Sequence, residues 1–266
     1  EHKERGEQAK ELFADAQRLL GDIVANQRFT PQAVTGIWSA SRDGDDVRLF
    51  ASAQGDEEVA VFHFLRQQID RGASKPQHSL ADFIATPNLG RDCLGAFAVT
   101  MGPGVEAFAN TFRDQGDDYS AIMVQALGDR LAEALAEYIH KSIRDAWGYG
   151  QHEAVDAQGK VDQDYLEFLL KEKYRGVRPA IGYPACPDHT EKATLWRLLE
   201  VEKHIGATLT SSFAMHPASS VSGLFFGHPA ARYFNVGKIG EDQLLNYAGR
   251  KQTLAEDARK WLRPNL

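Results

Sequence analysis

Cysteine is nearly absent: Cys93 and Cys186 are the two in 266 residues, and they form no C-x-x-C pair. That excludes a disulfide framework and a zinc knuckle, and it fits a reducing compartment, so the expected location is cytoplasmic. Long apolar runs are missing as well. No stretch approaches the roughly 20 residues a membrane-spanning helix needs. The opening "EHKERGEQAK" has no apolar centre, so a signal peptide is not expected there. It also lacks a starting methionine, which leads to the expectation of a piece cut from something longer. An excess of basic residues is lacking too. The net charge is −7 and the pI near 5.7, which disfavours nucleic acid as a partner.

The usual catalytic signatures are also missing. There is no G-x-G-x-x-G after a strand, no G-x-x-x-x-G-K-[ST], no G-x-S-x-G and no H-E-x-x-H. Cys186 and His189 in "CPDH" have the spacing of half a metal site, but no second pair matches them. The plainer reading is an ordinary thiol and a histidine at a helix start.

What is present is a chain that can build a core. Hydrophobic residues make up 43% and charged residues 25%, and a chain of this size can bury about 70% of its unfolded surface. Charge is uneven: residues 203–266 hold eight Lys/Arg and four Asp/Glu, so the last quarter is basic and the rest acidic. Two readings remain open for that imbalance, an ordinary solvated surface and a docking face.

Periodicity predicts a first helix with Leu12, Phe13, Ala16, Leu19, Leu20, Ile23 and Val24 on one face. "AVTGIWSAS" and "DVRLFAS" around "RDGD" predict a β-hairpin. "EEVAVFHFLRQQID" reads as a strand running into a helix, and "CLGAFAVTMGPG" as a buried strand stopped by glycine and proline. The longest helix carries Tyr119, Ile122, Met123, Ala126, Leu127, Leu131, Ala134, Leu135, Tyr138 and Ile139 in phase. "GYGQHEAVDAQGKVDQ" is a long surface loop, and a short helix "DYLEFLLKEKY" follows it. "EKATLWRLLEVEKHIG" reads as one helix ended by Gly206. "TLTSSFAMHP", "SVSGLFFGHP" and "RYFNVGKIG" read as a three-strand meander. Two closing helices follow, the second opened by a Thr253/Glu256 capping box. Strands at both ends with helices between favour α+β.

One segment stands out physically. "RPAIGYPACPDH" places Pro179, Pro184 and Pro187, three of ten prolines, within ten residues. Each fixes φ and removes a donor, and Gly182 permits positive φ or a close backbone approach. The result is a stiff irregular loop presenting Arg178 and Tyr183, running into a helix start marked by Asp188 and Glu191 at capping-box spacing. A ligand role and a rigid connector are the two readings of such a loop.

"RPAIGYPACPDHTEK" closely resembles the signature of the activation domain of cobalamin-dependent methionine synthase. "HFLRQQ", "LADFIA", "GAFAVT", "DDYSAIMVQALGDRLAEALAEYIH", "LLEVEKHIG", "SFAMHPASSVSGLFF" and "DQLLNYAGRK" through "WLRPNL" resemble that family in the same order. The resemblance implies one C-shaped α+β domain over residues 1–266, with a twisted antiparallel sheet and flanking helices, not Rossmann-like.

It further implies a reactivation module that binds S-adenosylmethionine as methyl donor. Cob(II)alamin is reductively methylated with an electron from a flavodoxin-like partner. Cobalamin is expected on a neighbouring module absent from this chain, and zinc only in an absent homocysteine module. No catalytic residue and no metal ligand is expected here, and the chain alone should bind ligand without making methionine.

By the same resemblance, Arg178 is the partner of the ligand's carboxylate, Asp82 of its ammonium, and the backbone of Ala180 of the adenine edge. Tyr183 is the loop tyrosine, and Tyr233 and Phe234 are the aromatic pair, Phe234 standing where a tyrosine is common. Read by itself, Asp82 is a helix-start or turn aspartate, and Glu172 is a partner for Arg178 or for the cobalamin module. Expected partners are the cobalamin module and flavodoxin, with no nucleic acid, no membrane and a monomeric state. Arg250 and Lys251 are the basic pair expected to meet an acidic redox protein. The alternative is an interaction module that docks these partners without a ligand of its own.

Overall fold

The computed structural model describes residues 2–69, 72, 76–151 and 163–266. Most of the expected surface loop at 148–163 and part of the polar stretch after residue 69 lie outside the described residues. The first half of the chain runs α1 (His2–Ala25), β1 (Gln32–Asp43), β2 (Asp46–Phe50), β3 (Glu58–His63), β4 (Asp92–Thr100), α2 (Gly104–Arg113) and α3 (Asp118–Ala146). The second half runs α4 (Gln163–Leu170), α5 (Glu191–Leu199), α6 (Val201–Ile205), β5 (Thr208–Leu209), β6 (Met215–His216), β7 (Ser220–Phe225), α7 (Glu241–Lys251) and α8 (Ala255–Trp261). Strands form a five-stranded antiparallel sheet, ordered β3-β2-β1-β4-β7, and a separate β5-β6 pair, which makes the fold α+β. No helix among the described residues is long and apolar enough to cross a membrane.

The chain divides into two compact units. The first comprises residues 1–34, 98–137 and 201–221. Its core packs Leu19 and Ile23 of α1 against Met101, Val105 and Phe108, and against Ala121, Val124 and Ala132 of α3. The expected faces are only partly right. Leu12, Phe13 and Val24 of α1 are exposed, and so is Ile122 of α3 at 64%. The buried positions of α3 mix small side chains such as Ala121, Ala132 and Ala136 with polar ones such as His140 and Arg144, so large apolar residues mark its phase poorly. The segment expected as one helix before Gly206 breaks at Glu200, whose φ of 46° is left-handed, into α5 and α6.

The second unit comprises residues 35–97, 138–200 and 222–266. The hairpin forms as expected, with Asp43 opposite Asp46 and Ala40 opposite Leu49. β3 adds antiparallel to β2. β4 is buried from Leu94 to Thr100 without alternation, as its continuous apolar run predicts. Two expectations fail here. The residues after β3 are not helical: Phe64 and Leu65 are buried, and Gln67 N–H donates to His78 O (3.0 Å) in an extended pairing. "RYFNVGKIG" is no strand, because its backbone bonds to irregular segments instead. Val236 N–H donates to Pro184 O and Ile239 N–H to Asn265 O. A second core forms from Leu65, Val236, Ile239 and the apolar faces of α7 and α8. The Thr253/Glu256 capping box is also absent: the N-cap of α8 is Leu254, which makes no side-chain cap.

Candidate functional site

The proline-rich loop lies along the outer edge of β7. Val177 and Phe226 exchange backbone hydrogen bonds of 3.0 Å each, and Leu224 N–H donates to Pro179 O (3.1 Å). Pro179 faces β7 with its carbonyl and, having no N–H, returns no bond to Leu224, so the pairing there is one-sided. Because successive residues of an extended chain point their peptide groups to opposite sides, those of Arg178 and Ala180 face away from β7. Arg178 N–H is met by the Tyr233 hydroxyl at 3.1 Å. Opposite Ala180 stands Gly223, where a Cβ would sit 2.6 Å from Pro179 O, so only glycine permits this approach. Beyond it the loop turns tightly. Gly182 has φ +96°, its N–H donates to Cys186 O (2.7 Å), and Cys186 N–H donates to Tyr183 O (2.9 Å). The turn lifts the Tyr183 ring into solvent, 63% exposed.

The Arg178 side chain is only 15% exposed. Its Nη1 donates to the Tyr174 hydroxyl and lies 3.5 Å from His140 Nδ1, and its Nη2 is 3.8 Å from Glu172 Oε1. His140 comes from the last turns of α3, is fully buried and stacks on Phe225 at 5.0 Å. Burial, followed by the neighbouring Arg144 and Arg178 charges, pushes its pKa down to about 2, so the ring is neutral. Arg144, one turn further on and also buried, lies over the Tyr174 ring at 3.8 Å. Sequence reasoning singled out Arg178 but missed His140, Arg144 and Tyr174. The available signal was a histidine and an arginine four apart on a long helix, a pattern that more often marks a solvated face.

The other expected site residues divide. Tyr233 joins Arg178 directly and is 46% exposed. Phe234 is half-buried against His78 (5.8 Å) and Phe83 (6.5 Å) and packs on the second core, so its ring serves as wall. Asp82 is held by partners of its own. It sits in a short 3-10 turn, Leu80–Phe83, where it completes a capping box with Ser79. Arg66 grips both its oxygens at 2.8 and 2.7 Å, and Arg42 adds a third contact at 2.9 Å. Burial alone would raise its pKa, but these bonds hold the carboxyl below its ordinary range. The turn role of Asp82 is seen directly, and its carboxylate stays ionised.

The family model for the activation domain of vitamin B12 dependent methionine synthase matches residues 1–252. The chain belongs to this family. A crystal structure of the MetH reactivation domain bound to AdoHcy matches with a TM-score of 0.91 and 45% sequence identity, over 98% of this chain and 78% of that one.

In this activation domain the loop is anchored from behind by a buried ionic cluster. Asp188 accepts from the Tyr247 hydroxyl (2.6 Å), from Lys251 Nζ (2.8 Å) and from Thr190 N–H (2.8 Å). Glu191 binds Lys251 and accepts from His63 N–H (3.2 Å), so it does not close the capping box with Asp188 that the spacing suggested. Arg250 is bound to Asp46 and to Phe64 O (2.9 Å). Both residues expected to meet a redox partner, Arg250 and Lys251, are therefore engaged within the unit. Cys186 and His189 are likewise taken up locally. The thiol is buried and its pKa pushed up by that burial, and the imidazole accepts from Lys192 at 3.0 Å while packing on Gly182.

Proposed function

We propose that this domain binds S-adenosylmethionine at the 177–183 loop, for reductive methylation of cob(II)alamin carried by a neighbouring cobalamin module. The electron would come from a flavodoxin-like donor in the cytoplasm. The observation that carries this reading is the partly desolvated Arg178 guanidinium, 15% exposed and fixed at one end. A guanidinium fork held this way suits a carboxylate, and partial burial strengthens the pair. Glu172, 3.8 Å from Arg178 and 45% exposed, joins Asp82 as a carboxylate for the ammonium. Two opposite charges side by side form a receptor for a zwitterionic amino-acid end. The outward peptide groups of Ala180 suit the edge of a purine, and the exposed Tyr183 and Tyr233 rings offer faces for a sulfonium. The MetH reactivation domain crystallised with AdoHcy, which shares the amino acid and adenosine of the proposed ligand, supports the same chemistry.

S-adenosylmethionine, when bound, supplies an electrophilic methyl group. The chain's own contribution is to bind and orient, with no general base, because no proton moves in the transfer. Without a cobalamin module the chain holds ligand and makes no methionine.

Titration calorimetry with S-adenosylmethionine tests the site. Arg178→Ala should weaken binding roughly 10- to 100-fold, the worth of a charge-assisted hydrogen-bonded pair. Glu172→Gln should cost a smaller factor, and Asp82→Asn should weaken binding and also lower stability. Equal affinity of wild type and Arg178→Ala overturns the assignment.

A further inference from the structure

At Nη1, Arg178 is held by two groups that carry no charge. Tyr174 closes the irregular stretch after α4, and its hydroxyl accepts from Arg178 Nη1. His140, on α3, faces the same nitrogen with Nδ1 at 3.5 Å. These two acceptors hold each other: their rings meet edge to face, 5.1 Å apart at 89°. The His140 ring is fixed on its other face by Phe225, 5.0 Å away and nearly parallel at 13°. Arg144 fixes Tyr174 by lying over its ring at 3.8 Å. The result is a stacked frame of Phe225, His140, Tyr174 and Arg144, buried throughout.

The chemistry of the frame is what matters. An acid in place of Tyr174 would hold Arg178 more tightly, but it would neutralise the guanidinium and compete with an incoming carboxylate. A phenol and a neutral imidazole set direction without offsetting charge. His140 can accept at Nδ1 only as the neutral ring, with its proton on Nε2.

We propose that Tyr174 and His140 are positioning residues that fix the Nη1 end of Arg178, so that the guanidinium is aimed at the α-carboxylate of the bound amino acid. This rests on the reading that Arg178 takes that carboxylate. Neither residue touches the ligand; both act through Arg178.

The experiment compares two classes of ligand on the whole chain. S-adenosylmethionine and AdoHcy carry the carboxylate, whereas 5′-methylthioadenosine keeps the adenosine and lacks it. Tyr174→Phe keeps the ring under Arg144 and beside His140 and removes only the acceptor. It should weaken both carboxylate ligands roughly tenfold, leave 5′-methylthioadenosine within twofold, and have no further effect when added to Arg178→Ala. For the ring, His140→Asn, which keeps an acceptor, should bind better than His140→Phe, with both variants checked for folding by thermal melts. Unchanged AdoHcy affinity in Tyr174→Phe overturns the proposal, and so does an equal loss for all three ligands, the mark of a merely structural role. Wild type that binds none of the three overturns the underlying reading of Arg178 as well, so the two failures are told apart.

Discussion

At the scale of single residues, the loop depends on Gly182 more than on its prolines. Its φ of +96° lies where side chains are strained, and a Cβ there would sit 2.3 Å from the His189 ring. The imidazole cannot simply withdraw, because Lys192 holds its Nδ1 at 3.0 Å. Gly182→Ala should therefore cost about 1–3 kcal/mol of stability and also weaken ligand binding, since the turn at Gly182 aims Tyr183. Urea unfolding beside calorimetry checks both. A variant as stable as wild type would mean the turn has room that its geometry denies. Arg178 and Gly182 were legible in the sequence because a proline-dense stretch narrows what the backbone can do. Asp82 was legible as a turn residue. Its contacts with Arg66 and Arg42 were not, because these stand 16 and 40 positions earlier and leave no trace in local spacing.

At the scale of elements, α7 is held to the start of α5 by the Asp188, Glu191 and Lys251 cluster. Removing the cation leaves two buried acids unpaired, so Lys251→Met should destabilise the chain by roughly 3–5 kcal/mol near neutral pH. The sign of its pH dependence follows from the carboxylates. Without Lys251 their folded pKa values rise above the unfolded ones, and each then adds stability as pH falls and it takes up a proton. Glu191 is already pushed up by burial in the wild type. The gap between variant and wild type should therefore narrow as pH drops toward the carboxylate range. Denaturant titrations at pH 7.5 and 5 check this, and a gap independent of pH counts against the cluster. Elements with one dominant signal were readable in advance: the hairpin from its turn, β4 from an unbroken apolar run, α7 and α8 from amphipathic spacing. The failures share a cause. "RYFNVGKIG" and "HFLRQQ" have strand-like or helix-like composition, but their backbone groups are satisfied by distant loops, as in Val236 to Pro184 and Gln67 to His78. No local pattern encodes such partners.

At the scale of the whole molecule, the charge imbalance has a definite consequence for partners. A chain of net charge −7 repels an acidic protein on average, so the proposed flavodoxin-like donor would have to approach through a local basic face. Arg250 and Lys251 do not supply it, being bound to Asp46, Asp188 and Glu191. The basic side chains left toward solvent near the C-terminal end include Lys260, which lies 5.1 Å from the Trp261 ring, and Arg263. These are the residues whose reversal reports docking without unfolding the chain. Lys260→Glu with Arg263→Glu should weaken association with a flavodoxin severalfold at low salt, mainly by slowing the on-rate. The difference should fade as ionic strength shortens the screening length from about 10 Å at 0.1 M to about 3 Å at 1 M. Stopped-flow mixing across that salt range, with melts to show that the variant is folded, decides it. Equal on-rates at low salt would remove the basic end as the dock and leave its charge as an ordinary solvated surface.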